Sequence, residues 1–573
     1  MRIVVVGGVA GGMSAAARAR RLDETAEIIV FERGDHPSFA NCGLPYYVSG
    51  EIADRDDLLV QTPESLHAAL DLDVRVRHDV IGVDPKAKTV EVRHADGVET
   101  VAYDALVLSP GASAIRPPIP GLDSPRVQTL RTVGDAVALA ETVRAGARRA
   151  VVLGAGFIGL EAAEGLRMRG LLVDVVELAP HVLPPLEDET ASLIRDELTR
   201  LGITVHDGVA ATEIVPGAGS EASGPNETGA GSEAGGPKTD ADGDGDVVVL
   251  GDGTRIDADV IVLSAGVTPD TKTFADAGVE VDRGAIVVDE HGRTSLDSIW
   301  AVGDATVGID AVTGLRRPVP LAGPANRAGR LVADHLVRPE TARPIPHPVG
   351  TAIVRVGELT AALTGANRRS LDEAGIEYHT VHLHPGSHAG YFPGAEQIHL
   401  LVHLRAGDGL ILGAQAVGRD GVDKRIDVLA TAIRNQMTGP DLIDLDLAYA
   451  PPFGSAKDPV NLAGMIAENV LDGSLKLWYA DQLEEEGFFL LDVRSREEYD
   501  RDHLDGAYPV PHTQVRERLE EIREAAAGRP IRVHCQSGMR SYLAYRVLSA
   551  AGLDVANLSG GLLTLRAALP RKN

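Results

Sequence analysis

Cysteine is almost missing from this chain: 573 residues contain two, Cys42 and Cys535. Two cannot build the disulfide framework of a secreted domain, so the expected home is a reducing cytoplasm. Aromatic residues are scarce at 4%, while Gly and Ala are abundant, which suits α/β layers with helices packed close on strands. Basic residues are outnumbered, and a net charge of -28 repels nucleic acid and anionic membranes, so neither is an expected partner. No uninterrupted apolar run is long enough to span a bilayer. The short apolar run after Met1-Arg2 imitates a signal peptide, but Arg18, Arg20 and Arg21 follow it at helical spacing, as in a strand–turn–helix unit. The length predicts three or four domains, and no metal site is expected.

What is present is a duplicated nucleotide-binding pattern. Residues 150–153 read as a buried strand, followed by Gly154-Ala155-Gly156-Phe157-Ile158-Gly159 and a helix over 160–169. Glycines there permit a tight turn and bring a pyrophosphate to the helix N-terminus, where free N–H groups and the dipole favour an anion. The next strand ends in Glu177, spaced to bind an adenosine ribose, and its charge would repel a 2′-phosphate, favouring NADH over NADPH. A looser copy opens the chain: a strand over 3–6, Gly7-Gly8-Val9-Ala10-Gly11-Gly12, a helix over 13–22 and a strand ending in Glu32. Val9 replaces the central glycine. Two further segments fit a nucleotide site: the strand and turn through Ser109-Pro110-Gly111, and Gly303-Asp304, whose carboxylate could bind a sugar or ribityl hydroxyl. Two sites predict one tightly held redox carrier and one exchanging hydride donor. Between 216 and 246 lies a Gly/Ser/Glu/Asp/Pro tract with almost no apolar residues, read as a disordered loop inserted between strands of the second unit.

Both cysteines sit in dense motifs, Ser38-Phe39-Ala40-Asn41-Cys42-Gly43-Leu44-Pro45-Tyr46-Tyr47 and Cys535-Gln536-Ser537-Gly538-Met539-Arg540-Ser541. Residues 1 to about 460 resemble the flavin-dependent pyridine nucleotide–disulfide oxidoreductases, in particular the single-cysteine group of coenzyme A disulfide reductases, NADH peroxidases and NADH oxidases. The segments 7–17, 38–47, Leu321-Ala322-Gly323-Pro324-Ala325-Asn326-Arg327 and 448–458 resemble the coenzyme A disulfide reductases most. The resemblance implies FAD in the first site, with Gly7, Val9, Gly12, Glu32, Ser109, Gly111, Gly303 and Asp304, and NADH, or NADPH, in the second, with Gly154, Gly156, Gly159 and Glu177. It implies a homodimer in which Tyr449 reaches from the partner subunit towards flavin and Cys42. It also implies coenzyme A, as substrate or carrier, against Ser14, Arg18, Arg21, Ser38, Asn41, Asn326, His388 and Lys457. From the residues alone, Arg18 and Arg21 equally suit a solvated helix face. Two departures stand out. Tyr391-Phe392 replaces a tyrosine pair, leaving Tyr391 as the catalytic candidate, and Leu70 stands where a basic residue is expected.

Dithiol members of this fold use Cys-x4-Cys, but the fifth residue after Cys42 is Tyr47. Cys42 therefore needs an external sulfur, as a mixed disulfide, or an oxygen, as a sulfenic acid; the second is the peroxidase or oxidase alternative. A helix N-terminus and charge transfer to oxidised flavin are expected to favour its thiolate, and residues near Glu161 to line the nicotinamide–flavin contact. From Trp478 the chain resembles a rhodanese domain. Its loop places four residues between Cys535 and Arg540, whereas related phosphatase loops have five, which favours sulfane sulfur over phosphate. Cys535 would then hold a persulfide in a nest of N–H groups.

The expected fold is α/β, with interleaved Rossmann-like FAD- and NAD(P)-binding domains. The FAD domain covers 1–114 and 271–330, the NAD(P)H domain 115–270. An α+β dimerisation domain (331–460), a linker (461–477) and a rhodanese domain (478–573) follow. The expected activity is NAD(P)H reduction of coenzyme A disulfide, coenzyme A persulfide or polysulfide, a small-molecule sulfur substrate.

Overall fold

The computed structural model describes residues 1–217 and 245–569. They divide into two units, one of 1–183, 198–310 and 315–348, the other of 184–197, 311–314 and 349–573.

The first unit is built on two parallel sheets. In spatial order the first contains Ile299–Ala301, Ala105–Leu108, Arg2–Val6, Glu27–Glu32 and Asp73–Val76. The second contains Ile203–Asp207, Leu172–Glu177, Arg149–Leu153, Val260–Leu263 and Val127–Gln128. Their central strands are apolar on both faces, as parallel strands covered on both sides must be: Val4, Val5, Leu106 and Leu108 in one sheet and Val151, Val152 and Ile261 in the other are fully buried. Ile299–Ala301 returns to pair with Ala105–Leu108 after the second sheet is complete. The second nucleotide fold is thus inserted into the first.

The 216–246 insertion springs from an antiparallel hairpin, Ala211–Val215 with Asp246–Leu250. Residues 218–244 lie outside the described residues. At its base, buried Asp246 accepts hydrogen bonds from Ser124 Oγ and from the Gly217 N–H at 3.0 Å.

The second unit begins with an antiparallel sheet ordered Ala352–Val356, Leu359–Gly365, Ile411–Gly418, Ile398–Arg405 and Tyr378–Leu383. Helices Val422–Arg434 and Pro459–Leu471 pack on it. A parallel sheet follows, ordered Leu477–Trp478, Val555–Leu558, Ile531–His534, Phe489–Asp492 and Tyr508–Pro509.

Two expected boundaries shift. Residue 330 falls inside the helix Ala322–Val337, which belongs to the first unit. The expected linker 461–477 is mostly the helix Pro459–Leu471, whose Val460, Ala463 and Ala467 are core residues of the second unit. The cause is its apolar face, which a free connection would leave in water. Among the described residues, no helix is long and apolar enough to cross a membrane.

Candidate functional site

Both dinucleotide turns follow one construction. A Cβ on Gly12 would lie 2.0 Å from the Gly7 carbonyl oxygen, and one on Gly159 would lie 2.0 Å from that of Gly154. Only glycine lets each helix start so close to its strand. Val9 is the N-cap of Ala10–Leu22, and Gly156 that of Phe157–Met168. The terminal glutamates brace these turns. Glu32 accepts from the N–H groups of Gly8 and Gly34, both at 2.7 Å, and Glu177 from those of Ala155 at 2.6 Å and Ala179 at 2.8 Å. Each carboxylate retains lone pairs for a ribose.

Ser109 and Gly111 follow the strand beside the first turn, and Gly303-Asp304 form a 3-10 turn after Ile299–Ala301. Asp304 is half-buried and accepts no hydrogen bond among the described residues. Burial pushes its carboxyl up, opposed by the Arg131 charge. A half-buried acceptor without a donor, beside a glycine turn at a helix N-terminus, fits a hydroxyl-rich dinucleotide. Space beside Gly156 is open, since a Cβ there would meet nothing within 4 Å.

Cys42 occupies a 3-10 turn, Asn41–Gly43, immediately before the helix Leu44–Ser49. Cys42 and Asn41 are exposed, whereas Ser38 is half-buried at a positive φ of 45°. The expected lowering of the thiol pKa by the helix N-terminus is not what the chain alone produces. Partial desolvation pushes the Cys42 thiol up, and the carboxylates of Glu161 and Asp304 push it further. The short helix cannot outweigh two negative charges. Tyr46 Oη donates to Glu161 Oε1 at 3.1 Å, tying the cysteine helix to Phe157–Met168 of the second nucleotide fold.

Ser14 donates to Asn326 Oδ1 at 2.6 Å, which brings two of the expected coenzyme A residues together. Arg18 is paired with Asp334 at 2.6 Å, and Arg21 is exposed on the same helix. Leu70 ends the helix Pro63–Leu70 and offers no charge there.

The remaining expected residues lie in the second unit. Tyr391 and Tyr449, 76% and 47% exposed, share a hydroxyl–hydroxyl hydrogen bond of 2.9 Å. His388 is buried against Phe392, and Lys457 is exposed. The Tyr391–Tyr449 bond gives Tyr391 a hydroxyl partner even though Phe392 has none to offer.

Cys535 is fully buried at the start of its loop. The carbonyls of Cys535, Gln536 and Gly538 are turned outwards and satisfied. Cys535 O accepts from the Leu562 N–H at 2.9 Å, Gln536 O from the Leu563 N–H at 3.0 Å, and Gly538 O from Asn557 Nδ2 at 3.2 Å. The N–H groups of Gln536, Ser537 and Gly538 donate to none of the described residues. Outward carbonyls and uncommitted amides make a cradle for an anionic sulfur. Ser541 Oγ lies 3.3 Å from Cys535 Sγ, and the Arg540 guanidinium, held up first by Glu498, also feels Cys535.

Sequence reasoning misses three features: Ser541, Glu498, and a buried chain behind the loop. His382 Nε2 lies 2.7 Å from Glu189 Oε1. The carboxylate can only accept, so Nε2 carries the proton and Nδ1 accepts from Ser559 Oγ at 2.7 Å. Arg368 closes the other side of Glu189, Nη1 to Oε2 at 2.9 Å. Against the upward push of burial, His382 and Arg368 hold the Glu189 carboxyl far below its usual range. Glu498 has a signal, as the end of a Ser495-x-x-Glu498 capping box. The buried chain has none, because its members are far apart in the sequence.

The comparisons agree with this construction. The family pattern described as pyridine nucleotide-disulphide oxidoreductase matches residues 1–322, its dimerisation domain matches 351–459, and the rhodanese-like domain pattern matches 475–568. A coenzyme A disulfide reductase from Staphylococcus haemolyticus (strain JCSC1435) is 33% identical over 82% of this chain and 100% of its own length. Among solved structures, reduced Bacillus anthracis CoADR-RHD is 39% identical with a TM-score of 0.92, covering 99% of this chain and 98% of that one. An NAD-dependent persulfide reductase from A. fulgidus is 36% identical with a TM-score of 0.88, covering 98% and 100%. From fold, turns and comparisons alike, the chain belongs to the pyridine nucleotide-disulphide oxidoreductase family of flavoenzymes, and carries that family's dimerisation domain and a rhodanese-like domain.

Proposed function

We propose that this chain reduces coenzyme A disulfide, coenzyme A persulfide or polysulfide with NAD(P)H, and that its rhodanese-like domain delivers sulfane sulfur to that reaction. The observation that carries this reading is the isolation of Cys42. Its helix continues with Tyr46 and Tyr47, and the only other cysteine is Cys535, so the partner sulfur must arrive with the substrate. The names of the relatives support it, since they include coenzyme A disulfide reductases and a persulfide reductase.

The overall reaction is NAD(P)H + H⁺ + CoA–S–S–CoA → NAD(P)⁺ + 2 CoA–SH. The Cys42 thiolate attacks one sulfur, forms Cys42–S–S–CoA and expels a coenzyme A thiolate. Two electrons and a proton then free the second thiol and restore Cys42. With coenzyme A persulfide, the group expelled from the sulfane position is hydrosulfide. Bound FAD supplies the two-electron junction between nicotinamide and sulfur. Glu32, Asp304 and the turn Gly7–Gly12, with Ser109, Gly111 and Gly303, hold FAD in this reading. Gly154, Gly156, Gly159 and Glu177 hold the nicotinamide nucleotide. Glu177 selects NADH by repelling a 2′-phosphate.

Ser14, Arg18, Arg21, Ser38, Asn41, Asn326, His388 and Lys457 line the coenzyme A site in this reading, with exposed Arg21 and Lys457 pairing its phosphates and Arg18 held on Asp334. The Tyr391–Tyr449 hydroxyl pair, which is held within one chain and so comes as a unit from the partner subunit of a homodimer, gives the departing thiolate its proton. The setting is a reducing cytoplasm, which keeps Cys42 free between turnovers. Peroxide or oxygen reduction through a Cys42 sulfenic acid is the weaker reading, because a sulfur-transfer domain has no use in it.

The test is anaerobic NADH oxidation with coenzyme A disulfide, coenzyme A persulfide, polysulfide and peroxide offered separately. Turnover with the sulfur compounds is expected, together with a coenzyme A adduct on the Cys42 peptide. Turnover with peroxide alone would reject the proposal.

A further inference from the structure

The Cys535 loop carries one basic residue, Arg540, and its charge is already committed. Arg540 Nη1 lies 2.6 Å from Glu498 Oε2, and Nη2 lies 2.8 Å from Oε1, a two-pronged pair. Glu498 is not a mobile surface carboxylate. It sits in the first turn of Arg496–Arg501, accepts the Ser495 N–H at 2.9 Å, and its own N–H is capped by Ser495 Oγ at 3.2 Å. The Arg540 hydrogen bonds hold its carboxyl down at about 2.

The other arginines whose fields reach the neighbouring His534 are Arg494 and Arg566. Arg494 is buried and bonded to Asp492 through both Nε and Nη2, at 3.0 and 2.7 Å, while Arg566 is paired with Asp502. Every one of these cations therefore carries a carboxylate. Besides its amides and the paired Arg540 the loop offers only uncharged side chains, Gln536, Ser537 and Ser541, and beside them apolar Met539 and Leu543, on the helix that leaves the loop, are 59% and 51% exposed.

A free guanidinium beside a reactive sulfur would attract a small dianionic donor such as thiosulfate, whose charge lies one bond from the transferred atom. A neutralised one does not, and displacing Glu498 would leave a half-buried carboxylate without its cation. Building on the sulfur-transfer reading above, we infer that Glu498 is a specificity-determining residue that bars dianionic sulfur donors from Cys535 and leaves the site to organic persulfides and polysulfanes with an uncharged carbon chain at the sulfur. The step is Cys535–S⁻ + R–S–S⁻ → Cys535–S–S⁻ + R–S⁻. One S–S bond forms as another breaks, and no net electrons are exchanged. Thiosulfate would follow the same exchange with sulfite as the leaving group.

The test measures persulfide formation on the Cys535 peptide by rapid quench and mass spectrometry, in full-length flavin-loaded protein. Thiosulfate and N-acetylcysteamine persulfide are the donors. The wild-type protein is expected to load from the organic persulfide at least about tenfold faster. Glu498→Gln is expected to raise the thiosulfate rate about tenfold, to move the organic persulfide rate less than about threefold, and to make the thiosulfate rate fall with added salt. Glu498→Asp, which keeps the charge but shortens its reach, is the second variant and should give an intermediate rise. Equal loading by both donors in the wild type, or an equal change of both rates in both variants, overturns the inference while leaving sulfur transfer in place. Failure of every donor to load Cys535 in any of the proteins overturns sulfur transfer itself.

Discussion

Cys42 and Cys535 lie in environments built on opposite principles. Cys42 is exposed in a short turn, where partial desolvation, and then Glu161 and Asp304, push its thiol up. Cys535 is buried under a loop whose carbonyls face away and whose amides are uncommitted. The first surroundings oppose a resting negative charge. The second solvate an anionic sulfur without water. Cys42 thus depends on what binds beside it, while Cys535 carries its stabilisation in its own backbone.

The strongest test of this contrast is to remove each sulfur. Cys42→Ser should abolish NADH-driven reduction of coenzyme A disulfide by about a thousandfold or more. Cys535→Ser should leave that rate within about twofold, because it removes a group outside that reaction. Steady-state NADH oxidation checks both, and comparable losses would refute the division of labour. Next in size is the backbone of the sulfur loop. Gly561 has φ +63°, and a Cβ there would lie 2.6 Å from Cys535 O and 2.7 Å from Gly538 N. Gly561→Ala should strain the cradle by about 1–3 kcal/mol and slow persulfide loading roughly tenfold, read by mass on the Cys535 peptide, with Cys42 chemistry unchanged.

Glu189→Gln should weaken the buried chain that reaches Ser559 beside the loop. The loss should be about 2–3 kcal/mol, because His382 and Arg368 are left without their anion while Arg368 keeps some solvent. The pH sign follows from the depressed folded pKa. Stability from Glu189 is present above the unfolded carboxylate pKa of about 4.3 and is lost as pH falls towards the folded value. Thermal melts between neutral and acid pH should show that loss in the wild type and its reduction in Glu189→Gln.

Tyr391→Phe removes the 2.9 Å bond to Tyr449 and should lower kcat a few-fold with KM little changed. Smallest is Glu161→Gln. Removing a nearby negative charge should move the alkylation midpoint of Cys42 to lower pH, since that charge holds the thiol up. A midpoint that stays in place would show that burial and Asp304 set it without Glu161.

Much of this architecture is legible in the amino-acid order. Glycine spacing, the terminal glutamates and the two lone cysteines carry local rules, and the two dinucleotide turns follow them. Sequence reasoning goes astray where a segment's fate depends on a distant surface. The stretch after 460 reads as a connection, yet its Ala463 and Ala467 find a core to enter. The thiolate expected at Cys42 follows from its own helix, but Glu161, more than a hundred residues away, counts against it.

The duplicated strand–glycine–helix turns, the glutamates that end the strands after them and the need of Cys42 for an outside sulfur follow from the order of residues alone, because backbone sterics and residue count act over short stretches. Which charges face each cysteine does not. Asp304 and Glu161 reach Cys42, Glu498 reaches Arg540, and Glu189 reaches Ser559 through His382. Electrostatic fields act through space, and the folded chain alone sets those distances.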